Sequence, residues 1–393
     1  MKHSYKNIGL MVFPLRSPIY QYFVDQILSL IAPHAERVIV MTGNYCPRLE
    51  SKNTQIINIK MPLILKNNEG LLSKISRFIR TQYYLSIVVI KQRKHFDVIM
   101  LHLGTPFLIF PTLLCCLMKK KIVVIITGSD SQSLRLMYPG ALGKILAGVV
   151  RLLENFTYLL SDKIIVASDS LIASFGIEKF KKKIISGIGD SPLGGANAFI
   201  DTDKFCILRK WEDREDVIGY IGRLSAEKGI TELVEAIPQI IKIKRNARFL
   251  IVGDGLLMDD LKKRFEIAGC LDKVHFTGMI PHDDIPQILN RMKFLVAPSY
   301  TEIVATTALE AMACGTICLA TAVGATKDVI IDGQTGFLLD DNKPATITEK
   351  LLEVWNQPAL SKIQLNARKF IEDNFTQLKV TERWRIILDK VMA

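Results

Sequence analysis

The stretch "VIGYIGRLSAEKGITELVEAI", residues 217–237, holds the fold in miniature. A short β-branched run, 217–222, ends in glycine. Arg223 follows, Lys228 comes five residues later, and an amphipathic stretch begins just before residue 230. A strand, a turn and a helix in that order form the repeating unit of a parallel α/β sheet, and ligands in such sheets bind beyond the carboxyl ends of the strands. An Arg and a Lys at that end, beside helix-start amides, suit a diphosphate; the competing reading is a pair of solvated charges.

The pattern recurs on both sides. "IGLMVF" (8–13), "RVIVMT" (37–42), "FDVIMLH" (96–102), "KIVVIITG" (121–128) and "KIIVAS" (163–168) read as strands, as do "ARFLIVG" (247–253), "KVHFTG" (273–278), "FLVAPS" (294–299) and "ICLAT" (317–321). These runs are continuous rather than alternating, as expected of strands buried on both faces of a parallel sheet. Ten strands exceed one compact open sheet with this charge distribution, so two Rossmann-like, doubly wound domains are expected. The Gly-, Asp- and Pro-rich run "SGIGDSPLGGANAFIDTDKF" marks the join. The expected division is 1–205, 206–375, and a helix over 376–393 carrying Trp384, Ile386, Ile387 and Leu388, which crosses back to the first domain.

Charge is unevenly shared. Residues 1–200 hold 25 Lys and Arg against 11 Asp and Glu, whereas residues 201–393 hold 26 against 28. The basic half is suited to an anionic partner. Within it, "LLSKISRFIRTQYYLSIVVI" (71–90) is a basic amphipathic helix: Leu71, Leu72, Ile75, Phe78 and Ile79 share one side, expected to pack inward, and basic residues take the other, expected to meet phospholipid headgroups. No nucleic-acid recognition motif is present, and the aromatics do not interleave with the charges. Mean hydropathy is +0.23, yet the longest apolar run, "FLIFPTLLCCLM" (107–118), is too short to span a bilayer and contains Pro111. The start, "MKHSYKNIGLMVFPLRS", reads as a first strand rather than a signal peptide. Seven cysteines with no C-x-x-C pair read as reduced thiols of an intracellular protein.

Chemistry gathers in "APSYTEIVATTALEAMACGT", residues 297–316. Glu302 lies in the loop after a strand. Thr307 and Glu310 fit a capping box, Thr307 as N-cap, which gives Glu310 a structural role of its own. The amides of Ile303, Val304, Ala305, Thr306 and Thr307 precede the helix and can receive a phosphate. A carboxylate on either side of that cluster can hold vicinal hydroxyls. "FLIVGDG", with Gly253 and Gly255, lacks the third glycine of a dinucleotide fingerprint, so a tight turn is the better reading and a nicotinamide oxidoreductase ranks last. Asp201-Thr202-Asp203 has metal-ligand spacing but lies in the linker. "GSDSQS" (128–133) reads as a polar strand-to-helix turn capped by Ser or Asp.

Together, "IGRLSAEKGITELVEAI", "FLIVGDG", "VHFTGMIPHDDI", "APSYTE", "ALEAMACGT" and "ATAVGATKDVIIDGQTGFLL" resemble the C-terminal half of the retaining glycosyltransferases of family 4, whose hallmark is E-x7-E. "FDVIMLH", "DKIIVAS" and "FIDTDKF" extend the resemblance more weakly through the rest. It implies the GT-B architecture, two Rossmann-like domains facing across a cleft. It also implies transfer of a hexosyl unit from a nucleotide-diphosphate sugar, with retention, to a saccharide or lipid-linked acceptor in cell-surface glycan or glycolipid synthesis.

The resemblance gives Arg223 and Lys228 the diphosphate, Glu302 the transferred sugar, Glu310 the ribose, and Thr306 and Thr307 the phosphates through their amides. Gly222 and Gly253 stand at the donor side, and His102 faces the reacting sugar. No cofactor and no metal are implied. The implied location is cytoplasmic, peripheral at the inner membrane face. Two departures stand out: "PLRSPIY" (14–20) replaces a glycine-rich loop, and "EIVA" (302–305) replaces a glycine after the first glutamate. They keep open an alternative, a degenerate nucleotide-binding or regulatory subunit without transfer activity.

Overall fold

The computed structural model describes residues 5–15, 18–47, 52–59, 71–138, 140–187, 198–303 and 305–393. Val304, Arg16, Ser17 and half of the Gly-rich join, residues 188–197, lie outside them. The chain divides into two compact units: Met1–Asn197 with Val380–Ala393, and Ala198–Lys379. The division falls earlier than 205/206. Ile200 N–H donates to Phe375 O at 2.8 Å and Phe205 is buried, so residues 198–205 belong with the second unit.

The first unit carries strands β1 (Tyr5–Val12), β2 (Ala35–Thr42), β3 (Thr54–Asn58), β4 (Val98–His102), β5 (Lys121–Ile125), β6 (Lys163–Ile165) and β7 (Ile184–Ile185). Its helices are α1 (Pro18–Ile31), α2 (Leu71–Gln92), α3 (Ile109–Leu117), α4 (Asp130–Met137), α5 (Ala141–Leu160) and α6 (Ser170–Ser174). The strands pair in parallel in the order β3-β2-β1-β4-β5-β6-β7. β4 is buried along its whole length, the two-faced burial expected of a central strand flanked by helices.

The second unit carries β8 (Val217–Ile221), β9 (Arg248–Val252), β10 (Val274–Gly278), β11 (Phe294–Ala297), β12 (Ile317–Thr321) and β13 (Phe337–Leu339). Its helices are α7 (Ile230–Ile243), α8 (Met258–Ile267), α9 (Ile285–Arg291), α10 (Thr306–Ala313), α11 (Thr326–Val329), α12 (Pro344–Trp355) and α13 (Leu360–Asn374). The last helix, α14 (Gln377–Met392), enters the first unit from Val380 onward and buries Trp384, Ile387 and Leu388. The sheet is parallel, in the order β10-β9-β8-β11-β12-β13. The first strand of this unit in sequence is therefore central, and the side on which successive strands are added switches between β8 and β11. Loops leaving those two strands diverge at their carboxyl ends, which opens the crevice where α/β sheets take ligands.

Below that crevice Arg214 is buried. Its guanidinium donates to Met292 O at 2.9 Å, Thr316 Oγ1 at 3.0 Å, Asn290 Oδ1 at 3.2 Å and Arg209 O at 3.2 Å. One planar fork thus satisfies acceptors from several loops, a task a lysine ammonium cannot copy.

One expectation needs correction. Helix α2 forms as expected, but Ile75 and Ile79 are exposed. The buried side is instead Thr81, Gln82, Leu85 and Val89, so the apolar side does not simply face inward. Asp201 closes a turn, its Oδ1 accepting from the Asp203 and Lys204 amides at 3.1 Å each. Among the described residues no helix is long and apolar enough to cross a membrane. All seven cysteines are free thiols.

Candidate donor site at the carboxyl ends of β8 and β11

Lys228 sits on a short 3-10 turn, Ala226–Lys228, after β8, and Glu302 sits in the loop after β11. Lys228 Nζ donates to Glu302 Oε1 at 2.6 Å, and Ser299 Oγ donates to the same oxygen at 2.8 Å. Both charged side chains are mostly buried, at 26% and 16% exposure, so the pair is shielded more than a surface bridge. Backbone ties bring the two loops together. Tyr300 N–H donates to Glu227 O at 3.0 Å. Gly229 adopts φ +66°, and a Cβ there would lie 1.9 Å from Pro298 O, so only glycine allows this approach.

Arg223 lies at the same edge. Its Nη2 pairs with Glu227 Oε1 at 3.0 Å, and Ser225 Oγ donates to that oxygen at 2.7 Å. Tyr220, nearly fully buried, donates to Arg223 O at 2.7 Å. Burial first, and the Glu302 and Glu227 carboxylates second, raise its phenol far above the usual range, so it stays a donor. Gly222 N–H donates to Val252 O at 3.0 Å, and Gly253, at φ +127°, packs so tightly that a Cβ would stand 1.9 Å from Gly222 O. The two glycines let the loops after β8 and β9 meet backbone to backbone.

Helix α10 follows the Glu302 loop. It begins at Thr306 with Ala305 as N-cap and no side-chain cap. The expected capping box is therefore absent: Thr307 is already inside the helix, and Glu310 is too far along it to reach back. The buried Glu310 carboxylate instead meets His282 Nε2 at 2.7 Å. His282 stands on the 3-10 turn after β10, its ring 5.3 Å from that of Phe205. Ile303 O accepts from Ala325 N–H at 3.1 Å, which anchors the loop to the segment after β12. The first amides of any helix lack intrahelical acceptors, so those of Thr306 and Thr307 remain available at the start of α10.

The site thus collects Arg223, Lys228 and Glu302, with Gly222 and Gly253, at the carboxyl ends of β8, β9 and β11, and Glu310 lies on α10, the helix that follows the Glu302 loop. His102 ends β4 in the first unit and is fully buried there. Neither ring nitrogen of His102 has a hydrogen-bond partner among the described residues. Burial pushes its pKa down to about 4, and the Phe23 backbone pulls weakly the other way without reaching hydrogen-bond geometry. Glu227, Ser299, Tyr220 and His282 were missed. Glu227 and His282 each stand just past a strand's carboxyl end, the one signal that could have singled them out.

Residues 208–370 match the family model of glycosyl transferases group 1. This segment holds every residue of the assembled site. It is similar to 2-deoxystreptamine glucosyltransferase of Streptomyces kanamyceticus, 32% identical over 40% of this chain. That match spans 41% of the relative's own length. Over nearly the whole chain the fold is that of solved GT-B glycosyltransferases. HepE from Anabaena, in complex with UDP and glucose, superposes with a TM-score of 0.69 at 16% identity, covering 97% of this chain and 99% of that one. Sucrose-phosphate synthase from Thermosynechococcus elongatus gives 0.74 at 18% identity, covering 98% and 99%. The fold is α/β, two Rossmann-like domains each built on a parallel sheet.

Proposed function

We propose that the protein is a retaining, metal-independent hexosyltransferase that moves a hexosyl unit from a nucleotide-diphosphate sugar to a saccharide or lipid-linked acceptor in cell-surface glycan or glycolipid synthesis. The observation that carries this reading is the Lys228–Glu302 pair, set across the β8/β11 crevice. Each cation at the site pairs with a carboxylate: Lys228 with Glu302 and Arg223 with Glu227. A diphosphate takes both cations and frees Glu302 to accept hydrogen bonds from the sugar hydroxyls. Glu310, oriented by His282, takes the ribose, and the amides of 303–307 take the phosphates. HepE was solved with UDP, which makes uridine diphosphate the first nucleotide to screen.

In the reaction the bond between the anomeric carbon and the diphosphate oxygen breaks, through an oxocarbenium-like state. The acceptor oxygen bonds to the same face of that carbon, and its proton passes to the departing phosphate. Negative charge grows on the leaving group, and Lys228 and Arg223 stabilise it where it develops. Glu302 positions the sugar and forms no covalent bond. His102, neutral at physiological pH, offers a hydrogen bond rather than a charge. We place the enzyme in the cytoplasm, peripheral at the inner membrane face, with its basic N-terminal half on anionic lipid.

The test is incubation of the full chain with nucleotide sugars and membrane lipid extract, with and without EDTA, and assignment of the product's anomeric configuration by NMR. Transfer with retention, undiminished by EDTA, is expected. An inverted linkage, or nucleotide binding with no transfer to any acceptor, overturns the reading.

A further inference from the structure

Helix α5 is about 30 Å long and buries only one side, through Ala147, Val150, Glu154, Thr157 and Tyr158. The opposite side shows solvent an unbroken apolar line: Leu142, Ile145, Val149, Leu152, Phe156 and Leu159. The steps along it alternate between three and four residues, so the six side chains form one stripe. Leu142 is 68% exposed and Leu152 69%. An isolated exposed leucine means nothing, but a contiguous stripe of this length marks an interaction surface. Helix α3 packs against both α5 and α2 and adds exposed Phe110 and Leu117 to the same layer.

The charge around the stripe selects its occupant. Residues 71–160 contain twelve Lys and Arg and three acids, Asp97, Asp130 and Glu154. The only acid on α5, Glu154, is buried, where Ser131 Oγ donates to it at 2.7 Å. Lys144 on α5 is exposed, as are Arg80, Lys91, Arg93 and Lys94 on and just after α2. A second copy presenting the same face would meet like charge. An anionic bilayer accepts both components, the apolar stripe at the acyl boundary and the lysines and arginines among the headgroups.

We propose that α5 is the membrane-seating element of this protein, lying in the plane of an anionic lipid surface with the Leu142–Leu159 stripe inserted. This deepens the membrane part of the function proposed above and transfers the main role from α2 to α5. The assay below contains neither donor nor acceptor, so it can fail while sugar transfer stands, and the converse.

The full chain is sedimented with vesicles of phosphatidylcholine alone and of phosphatidylcholine with one quarter phosphatidylglycerol. The variants are Ile145→Glu/Leu152→Glu and, as a control, Leu256→Glu/Ile267→Glu, which alters isolated exposed residues of the second unit. Wild type and control are expected to bind the anionic vesicles. The α5 variant is expected to lose at least tenfold in partitioning while its circular dichroism and its stabilisation by nucleoside diphosphate stay unchanged. Equal binding by the α5 variant, or no binding by wild type, overturns the proposal. So does a dimer, seen by analytical ultracentrifugation, that the α5 substitutions dissolve, since the stripe would then belong to a second copy.

Discussion

Gly229 lies against the carbonyl of Pro298 so closely that a single added carbon would stand 1.9 Å from that oxygen. The contact joins the turn that carries Lys228 to the strand exit that leads to Glu302. Gly229→Ala must therefore separate the two loops as well as strain the backbone at φ +66°. The left-handed conformation alone costs about 1 kcal/mol, and the collision adds to it. We expect a melting temperature lower by several degrees and loss of nucleotide-induced stabilisation, both readable by differential scanning fluorimetry.

Lys228→Ala removes the cation and leaves Glu302 mostly buried with, among the described residues, only Ser299 as partner. A positioned charge of this kind is worth about 100- to 1000-fold in turnover. Steady-state transfer should fall by that order, with weaker binding of the free nucleoside diphosphate. Retention of both in the variant would remove Lys228 from the phosphate site.

The two glutamates should separate by readout. Glu302→Gln is expected to abolish transfer while nucleoside diphosphate still binds, because the proposed partner of Glu302 is the sugar. Glu310→Gln is expected to weaken nucleoside diphosphate itself, because the proposed partner of Glu310 is the ribose. Isothermal titration with nucleoside diphosphate, alongside a transfer assay, distinguishes them; a reversed pattern exchanges the assignments.

Two groups in the first unit, His102 fully buried and Asp130 partly buried, predict opposing slopes in stability against pH. The His102 pKa is held down at about 4, whereas an unfolded histidine titrates near 6.5. As pH falls from 6.5 toward 4 the unfolded chain takes a proton that the fold refuses, so stability is lost over that window. The Asp130 carboxyl is pushed up to about 6, by burial first and by the Glu154 carboxylate second. Between about 3.8 and 6 the fold keeps a proton that the unfolded chain has lost, so stability declines as pH rises. The terms offset each other below pH 6. Urea unfolding from pH 4.5 to 7 should show Asp130→Asn losing more stability than wild type on acidification. His102→Gln should show a shallower acid loss, and identical slopes in all three chains would refute both assignments.

Where one strand type met one environment, the reading from sequence was close. β8, β9, β11 and β12 are short β-branched runs buried on both faces, and burial of that kind leaves no other conformation for so apolar a segment. β3 went unread because "TQIIN" is half-exposed at a sheet edge and half polar. β7 is only the dipeptide Ile184–Ile185. Arg223, Lys228, Glu302 and Glu310 were found by residue type and position after a strand, but not their partners. The aim of the Glu310 carboxylate toward His282, 28 residues earlier, is decided by where the β10 and β11 loops meet in space. The Thr307 capping box failed for a similar reason. The helix starts two residues sooner because its entry is set by the backbone of Ala305 rather than by a side chain. In α2, periodicity located the helix but not the side its neighbours cover.

The strand order has a consequence for synthesis. β8 emerges first and takes β9 as its neighbour, then β10 extends that side, yet β11 must travel back to the opposite flank of β8. Lys228 and Glu302 are 74 residues apart along the chain, so a ribosome halted before residue 294 displays a half-sheet with an open flank and no Lys228–Glu302 pair. Competence arrives abruptly, at the moment of a long-range closure, and such non-local pairings are the slow part of building a parallel sheet. Until then the bare edge of β8 is what the cell must shield.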